Sequence, residues 1–563
     1  MKSILLLFAF SVFHLVYSQN PEYDWGLQFG GIHANVGKAN ASDNSGNIYS
    51  IGWFNGVADF DPGPDSVHFN SSGSANTFIQ KLDGNKNILW AKALESTSSN
   101  YGSAIDIDDE GNIVLTGFFR GTIDLDPGVN VQNRASLGQL DVYIIKLNSE
   151  GDFLWGKTFG GQDYVRSYGA TFDENGNVLL VGAFKGTCDF DPSNNQYELT
   201  SAGNEDIFIQ KLDINGSFLW AKHFGSNEID NGLSIATDDN NNVFTTGFFV
   251  NSVDFDPGIG SNIISTNGSS NSFILKLDSN GEFVWVKQIE GASSCKGYSI
   301  HVDKDGNLLS TGLLQATADF DPSIDNYDLT SSGSQDIYIQ KLNNDGDFLW
   351  AKQIGDFSND EGYSVTSDLA GNIYVTGHFY GTVNFDSEEN TVSLTANGSL
   401  DVFILKLKSE GQFIWARNVG GPNSDHSKSI SVNNYGHIFI TGSFSGNIDL
   451  DPNSNVENFT CSGELAVFVL KLIQTEPVNT NEISDPIMAS VFPNPCSESI
   501  SISLNHIFSN VEISLVNSLG RIVQKKNVNE KKDIELPLNA PSGVYCLTIK
   551  TEKKLYRYKL IIE

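Results

Sequence analysis

Sulfur is scarce in this chain, with 5 Cys and 2 Met in 563 residues. So few thiols cannot staple a chain of this length, which excludes a disulfide scaffold. Cys188, Cys295 and Cys461 fall at unrelated positions of the pattern described below; only Cys496 and Cys546, both in the last segment, read as a pair, with two separate thiols the equal alternative. Positive charge is scarce too: 34 Lys+Arg stand against 68 Asp+Glu, a formal net charge of -34. Such an acidic protein repels nucleic acid and anionic membrane surfaces, so neither is an expected partner. After the first twenty residues no apolar run approaches the roughly 18 residues that span a bilayer, and no transmembrane segment is expected. Familiar catalytic signatures are missing as well. The 9 His recur in no column, and there is no His-Glu-x-x-His, nucleophile elbow or Cys/His ligand spacing. Acidic pairs are so plentiful that choosing two as a glycosidase acid and nucleophile would be arbitrary.

What the chain has in quantity is glycine, 54 residues, and aromatics, 11%, the composition of a turn-rich β protein. Its start differs from the rest. Lys2, the apolar stretch from Ile4 to Val16 and the small Ser18 before Gln19 have the charged start, short hydrophobic core and small-residue exit of a secretory signal peptide over residues 1–18. No Cys follows closely enough for lipid attachment.

The dominant feature is a repeat. Trp25, Trp90, Trp155, Trp220, Trp285, Trp350 and Trp415 are each 65 residues apart, without insertion or deletion. The same step links Lys81, Lys146, Lys211, Lys276, Lys341, Lys406 and Lys471, each followed by Leu, and the aspartates Asp61, Asp126, Asp191, Asp256, Asp321, Asp386 and Asp451. Seven copies of one unit therefore occupy residues 19–473.

Within a unit, period-two alternation marks four strands. In the copy that begins at Asp360 they fall around Tyr363 to Thr366, Ile373 to Thr376, Val402 to Leu407 and Phe413 to Ala416. Asp-x-x-Gly-Asn, as in Asp173 to Asn177, joins the first pair, since Gly and Asn tolerate positive φ and Asp bonds its own backbone. A second tight turn, such as Asp213, Asn215 and Gly216, joins the last pair. Seven four-stranded antiparallel units predict an all-β, seven-bladed β-propeller. The chain opens on a fourth strand, around Trp25, and the array stops on a third, at Lys471 and Leu472. Residues near Tyr23 to Leu27 are accordingly expected to pair with Val467 to Leu472 and close the ring. WD-type blades take roughly 40 to 45 residues, so each unit carries about 20 more, placed between its second and third strands. That connection and the blade-to-blade connection emerge on one face, where variable loops on a rigid scaffold are expected to carry any site.

The strings "GYSIHVDKDGNLLSTG" at Gly297 to Gly312 and "GYSVTSDLAGNIYVTG" at Gly362 to Gly377 resemble the bacterial β-propeller repeat family abbreviated SBBP, found in secreted and surface proteins. The resemblance covers about residues 20 to 472 and implies a fold without implying one activity. Past a polar linker, residues 474–490, the composition changes: residues 491–563 carry a net +3 where the rest of the mature chain carries about -38. Short alternating strands there predict a small Ig-like β-sandwich. With "FPNP" at Phe492 to Pro495, "NSLGRIV" at Asn517 to Val523 and "PSGVYCLTI" at Pro541 to Ile549, the segment resembles the type A C-terminal sorting domain of the type IX secretion system of Bacteroidota. The resemblance implies Pro493, Asn494, Pro495, Gly520, Gly543 and Tyr545 as its motif residues, the secretion machinery as its partner, and release or attachment at the outer-membrane surface.

Three sets of residues are candidates for chemistry. The recurrent Asp-Phe-Asp-Pro loops, with Asp59 and Asp61, Asp189 and Asp191, and Asp319 and Asp321, offer paired carboxylates that could hold calcium, the one cofactor the sequence suggests; the structural alternative is that each builds a turn. The lysine column, flanked by apolar residues on both strand faces, needs partners, and the aspartate column offers them, for example Asp191 for Lys211. Trp53 heads a column that continues Phe118, Ala183, Phe248, Leu313, His378 and Ser443. The fold does not dictate that position, which makes Trp53 and His378 candidate binding residues. The tryptophan column reads as packing between blades. Together these features predict an exported, non-catalytic binding or structural module whose partner is a glycan or a surface protein. The alternative is a secreted polysaccharide hydrolase or lyase at the channel mouth, which an asymmetric cluster of carboxylates, His or Arg would favour.

Overall fold

The structure is a computed structural model. It describes residues 20–61, 63, 65–386, 391–474, 489–492, 496, 499–504, 511–517, 522–529, 531–538, 540–551 and 555–562. The expected signal peptide and the motif residues Pro493, Asn494, Pro495 and Gly520 lie outside the described residues. The chain divides into two compact units, one over Ser18–Thr475 and one containing Glu476–Glu563. Every regular element among the described residues is a strand.

The larger unit contains seven four-stranded antiparallel meanders, the pattern of a β-propeller. In the first, Asn35–Ser42, Ile48–Phe54, Asn76–Leu82 and Ile88–Ala93 pair in sequence order. The last is composite. Asp425–Val432, Ile438–Phe444 and Ala466–Ile473 are completed by Glu22–Gly31, with Tyr23 opposite Leu472 and Phe29 opposite Val467. The N-terminal strand thus supplies the missing outer position, as its place in the repeat requires. First strands touch first strands of the neighbouring sheets, and Asp425–Val432 returns to Asn35–Ser42, so these strands are innermost.

The second and third strands Val178–Phe184 and Asp206–Leu212 are buried at every residue because sheets cover them on both faces; in Ile48–Phe54, Ile113–Arg120 and Val243–Phe249 the variable-column residue is only partly buried. Outer strands such as Phe218–Phe224 are mostly half-buried, with Leu219 exposed and Ala221 and Phe224 buried. Each first strand carries a bulge at one position, for instance between Ser167 and Gly169. Opposite it stands a recurrent glycine. A Cβ on Gly182 would lie 1.9 Å from the Arg166 carbonyl oxygen, which excludes any side chain there.

The insertions are more ordered than expected. Each contains a short ribbon, such as Thr187–Asp189 with Glu198–Thr200. Three of these ribbons clasp the fourth strand of the preceding sheet, as in Gly160 opposite Asp189.

The smaller unit has a three-stranded sheet, Ala489–Phe492, Ser499–Leu504 and Asp533–Pro537, and a four-stranded one, Ile522–Val528, Val511–Val516, Gly543–Thr551 and Leu555–Ile562. Ile500, Ile502, Ile513, Leu515, Leu547 and Leu560 form its core. Of the motif residues described, Gly543 opens a strand and the Tyr545 hydroxyl donates to the Pro541 carbonyl at 2.8 Å. The Cys496 backbone bridges Ile562, while Cys546 sits opposite Val516 and Lys559 in the four-stranded sheet. A strand therefore begins at Ala489, inside the expected linker.

Candidate functional site at the innermost strands

Several recurrent residues are structural, and one expectation about them is corrected. Lys211 does not meet Asp191. Its Nζ lies 2.8 Å from Asp173 Oδ2, the aspartate of the first hairpin turn, and Lys341 meets Asp303 in the same way. Both pairs are almost wholly buried. Lys211 also donates to the Ser279 carbonyl in the next sheet's hairpin, where Trp220 Nε1 donates to the same oxygen at 3.3 Å. The Lys and Trp columns together fasten each sheet to the next. Burial opposes ionisation of Asp173, yet the bonds from Lys211 and Asn177 hold its carboxyl below the usual range.

The Asp-Phe-Asp-Pro loops are turns. Asp59 Oδ1 accepts the amides of Asp61 and Val67, at 3.1 and 2.9 Å, and Asp61 Oδ1 accepts Gly63 N at 2.7 Å. Asp189 with Asp191, and Asp319 with Asp321, repeat the arrangement. One oxygen of each carboxylate is thus spent on backbone amides. Among the described residues no three His, Cys, Asp or Glu side chains converge as metal ligands.

The variable column is different. Register places Trp53 opposite Val36, Phe118 opposite Tyr101, Ala183 opposite Arg166 and His378 opposite Glu361, on the two innermost strands of each sheet. Two distinct clusters result.

The first spans three consecutive sheets. Trp53 meets Tyr101 edge-on with ring centroids 5.5 Å apart, and Tyr101 lies 5.3 Å from Phe118. Beside them opens a cavity of about 630 Å³ lined by Tyr101, Phe118, Arg120, Tyr164, Arg166 and Tyr168, with serines at its edge. The Arg166 guanidinium sits 5.1 Å from the Tyr164 ring centroid and 3.6 Å from Glu205. Arg120 is exposed. The charged lining residues are both arginines, in a chain of net charge -34. Aromatic faces with guanidinium forks suit a ring-bearing, acidic ligand. Repetition could not reveal this cleft, because Tyr101, Arg120, Tyr164 and Arg166 recur in no column. The signal was their departure from the repeat.

The second cluster contains the other candidate, His378. Its Nδ1 lies 3.3 Å from His426 Nδ1, and its ring is 5.2 Å from Tyr363. Burial, with His426 and Lys428 adding to it, lowers His378 to about 3. Burial and Lys428 lower His426 to about 4, so both imidazoles are neutral at pH 7. Tyr363 stacks on Tyr298 at 5.0 Å, and the nearby Glu361 carboxylate adds to burial in raising both phenols. Trp53 and His378 are therefore not brought together; each belongs to its own cluster.

Two family models agree with this architecture. Residues 490–563 match the family described as a secretion system C-terminal sorting domain, and residues 349–378 match a β-propeller repeat. The sorting-domain match marks the protein for type IX export, to the cell surface or beyond it. No helix among the described residues is long and apolar enough to cross a membrane. An uncharacterized WD repeat-containing protein of Acanthamoeba polyphaga mimivirus is 23% identical over 519 residues, covering 78% of this chain and 37% of its own length. The regulatory protein FlaEY of Caulobacter vibrioides is 22% identical over 180 residues, covering 31% of this chain and 18% of its own. The chain thus spans well under half of either relative. A copper-bound fungal alcohol oxidase of the AA5 family aligns over 96% of this chain and 100% of its own, at 12% identity and a TM-score of 0.37.

Proposed function

We propose that this exported propeller protein is a seven-bladed recognition module that binds glycans, acidic ones in particular, in the cleft between Tyr101, Phe118, Arg120 and Arg166. The seven meanders, the closing N-terminal strand and the cyclic contacts of the first strands support the blade count. In this reading residues 1–18 are the signal peptide, 19–473 the propeller and 491–563 an Ig-like sorting sandwich read by the type IX machinery of a member of the Bacteroidota. The observation that carries the binding role is the cleft itself: aromatic rings and two arginines concentrated on a few sheets of an otherwise repetitive, acidic scaffold.

The test is electrophoretic retardation of the protein in gels containing neutral and uronate-rich polysaccharides, with and without calcium, followed by analysis for cleaved sugar. Retardation by uronate-rich gels without products, reduced at least tenfold in apparent affinity by Tyr101→Ala with Arg120→Ala, is expected. No retardation in any gel would reject the glycan reading in favour of a protein partner. Release of unsaturated or reducing sugar would establish the second reading, a polysaccharide lyase or hydrolase. The asymmetric group of Glu361, His378, His426, Tyr298 and Tyr363 favours that alternative.

A further inference from the structure

The bulge in each first strand turns one residue out of register, and the seven such residues are Lys38, Ser103, Tyr168, Leu233, Tyr298, Tyr363 and Lys428. Two lysines in this ring stand on adjacent innermost strands. The strands are locked together beside them: Asn40 N donates to Ser429 Oγ at 3.1 Å and Asn40 Nδ2 to the Ser429 carbonyl at 3.2 Å. Lys428 Nζ lies 3.5 Å from the centre of the Tyr363 ring. The opposite charge acting on it is Glu361, which makes no ion pair with Lys428 within 4.0 Å and also acts on the phenols of Tyr298 and Tyr363. Burial and the neighbouring Lys38 depress the Lys428 amine to about 8, and burial alone lowers Lys38.

Several lysines of the third-strand column are answered by acid instead, while Lys81 and Lys276 donate to neutral oxygens of the next sheet. Lys146, Lys211, Lys341 and Lys471 each have an aspartate within 3.5 Å. Partly buried like charges side by side cost stability, and a chain with 68 Asp+Glu has ample means of neutralising them. A shared anion removes the repulsion and gains two charge-assisted bonds.

We infer that Lys38 and Lys428 form an oxyanion-binding site on the wall of the propeller channel, suited to the carboxylate or sulfate group of an acidic sugar. That the oxyanion arrives on a glycan rests on the function proposed above; the site itself does not, since it shares no residue with the Tyr101 cleft. No bond is made or broken, and the amines act as ammonium donors to the anion's oxygens.

The test uses the full chain and three probes at matched ionic strength: sodium sulfate, sodium glucuronate and a glucuronate oligosaccharide, with sodium chloride as reference. Acetic anhydride labelling of Lys38 and Lys428, read by peptide mass spectrometry, should slow at least threefold with sulfate or glucuronate, while labelling of the surface residue Lys304 is unchanged. Lys38→Met with Lys428→Met should raise the melting temperature without anion and abolish the anion-dependent rise seen in the parent. Equal labelling with and without both simple anions, or an anion-dependent rise retained in the double variant, would overturn the site. If the simple anions protect but the oligosaccharide does not, the site stands and its glycan source is rejected. Oligosaccharide binding that survives the double variant and is lost on Tyr101→Ala belongs to the cleft, which keeps the two readings separable.

Discussion

Lys406 Nζ donates to Gln474 Oε1 at 2.6 Å, in the place where its counterparts Lys81, Lys211 and Lys341 meet a backbone carbonyl of the next sheet's outer hairpin. The seventh sheet has no such hairpin, because its fourth strand comes from the other end of the chain. A side chain supplies the missing acceptor. Gln474 Nε2 in turn donates to the Tyr374 hydroxyl and the Gly436 carbonyl. Gln474, expected at the start of the linker, is therefore a working part of the propeller.

Gln474→Ala should cost about 1.5–3 kcal/mol, the range for a buried hydrogen bond to a charged group. Urea unfolding followed by tryptophan fluorescence measures it. A loss below about 0.5 kcal/mol would show that Lys406 finds another acceptor.

Asp173 and Asp191 should respond unequally to the same substitution. Asp173→Asn leaves the Lys211 ammonium buried without its counter-charge and should cost about 3 kcal/mol. Asp191→Asn keeps the oxygen that accepts Ser193 N and should stay within about 0.5 kcal/mol. Equal losses would return the lysine partnership to the Asp191 column.

Gly216 has φ +74°, and a Cβ there would lie 3.0 Å from the Trp155 ring. Gly216→Ala combines backbone strain with displacement of the indole, which donates to the Ile214 carbonyl at 3.0 Å. The expected loss is about 1–2 kcal/mol, read as a lower midpoint in thermal or urea unfolding.

Burial raises Asp360 and Asp425 to about 7, with Asp336 and Asp401 respectively adding to the effect. The folded state thus holds protons that the unfolded chain releases near pH 4. Their contribution to stability is fully present below that pH and is lost as pH rises through 7. Asp425→Asn should raise stability at pH 8 by on the order of 2 kcal/mol and change it little at pH 4. Melting temperatures at the two pH values decide this; a gain that does not depend on pH would mean that the carboxyl does not titrate there.

Much of the architecture was legible because each unit must satisfy the same contacts. Trp155 and Lys211 recur since every sheet needs the same fastening to its neighbour, and the phase of Trp25 against Lys471 announced the composite sheet. The partner of Lys211 was misassigned because two aspartate columns lie within reach in sequence, and only the hairpin's position on the sheet selects Asp173. The calcium candidates were visible as carboxylate pairs, yet the bonds from Asp61 N and Val67 N to Asp59 exist only once the loop has closed.

The clusters had the weakest sequence signal. Trp53 and His378 stood out as a free column, but Tyr101 and Arg166 belong to different units and line one cleft only because neighbouring sheets pack side by side. Lys38 and Lys428 are 390 residues apart in the chain and stand on adjacent strands only because the ring closes. The sequence by itself determined the repeat, the class of fold, the closing strand and the export segment, since these follow from local periodicity and from burial that each unit must solve alike. Tertiary structure decided which carboxylate answers each lysine, where a side chain replaces a missing hairpin, and which non-recurrent residues converge. Those outcomes depend on long-range register and on the desolvation of particular charges, which no local pattern encodes.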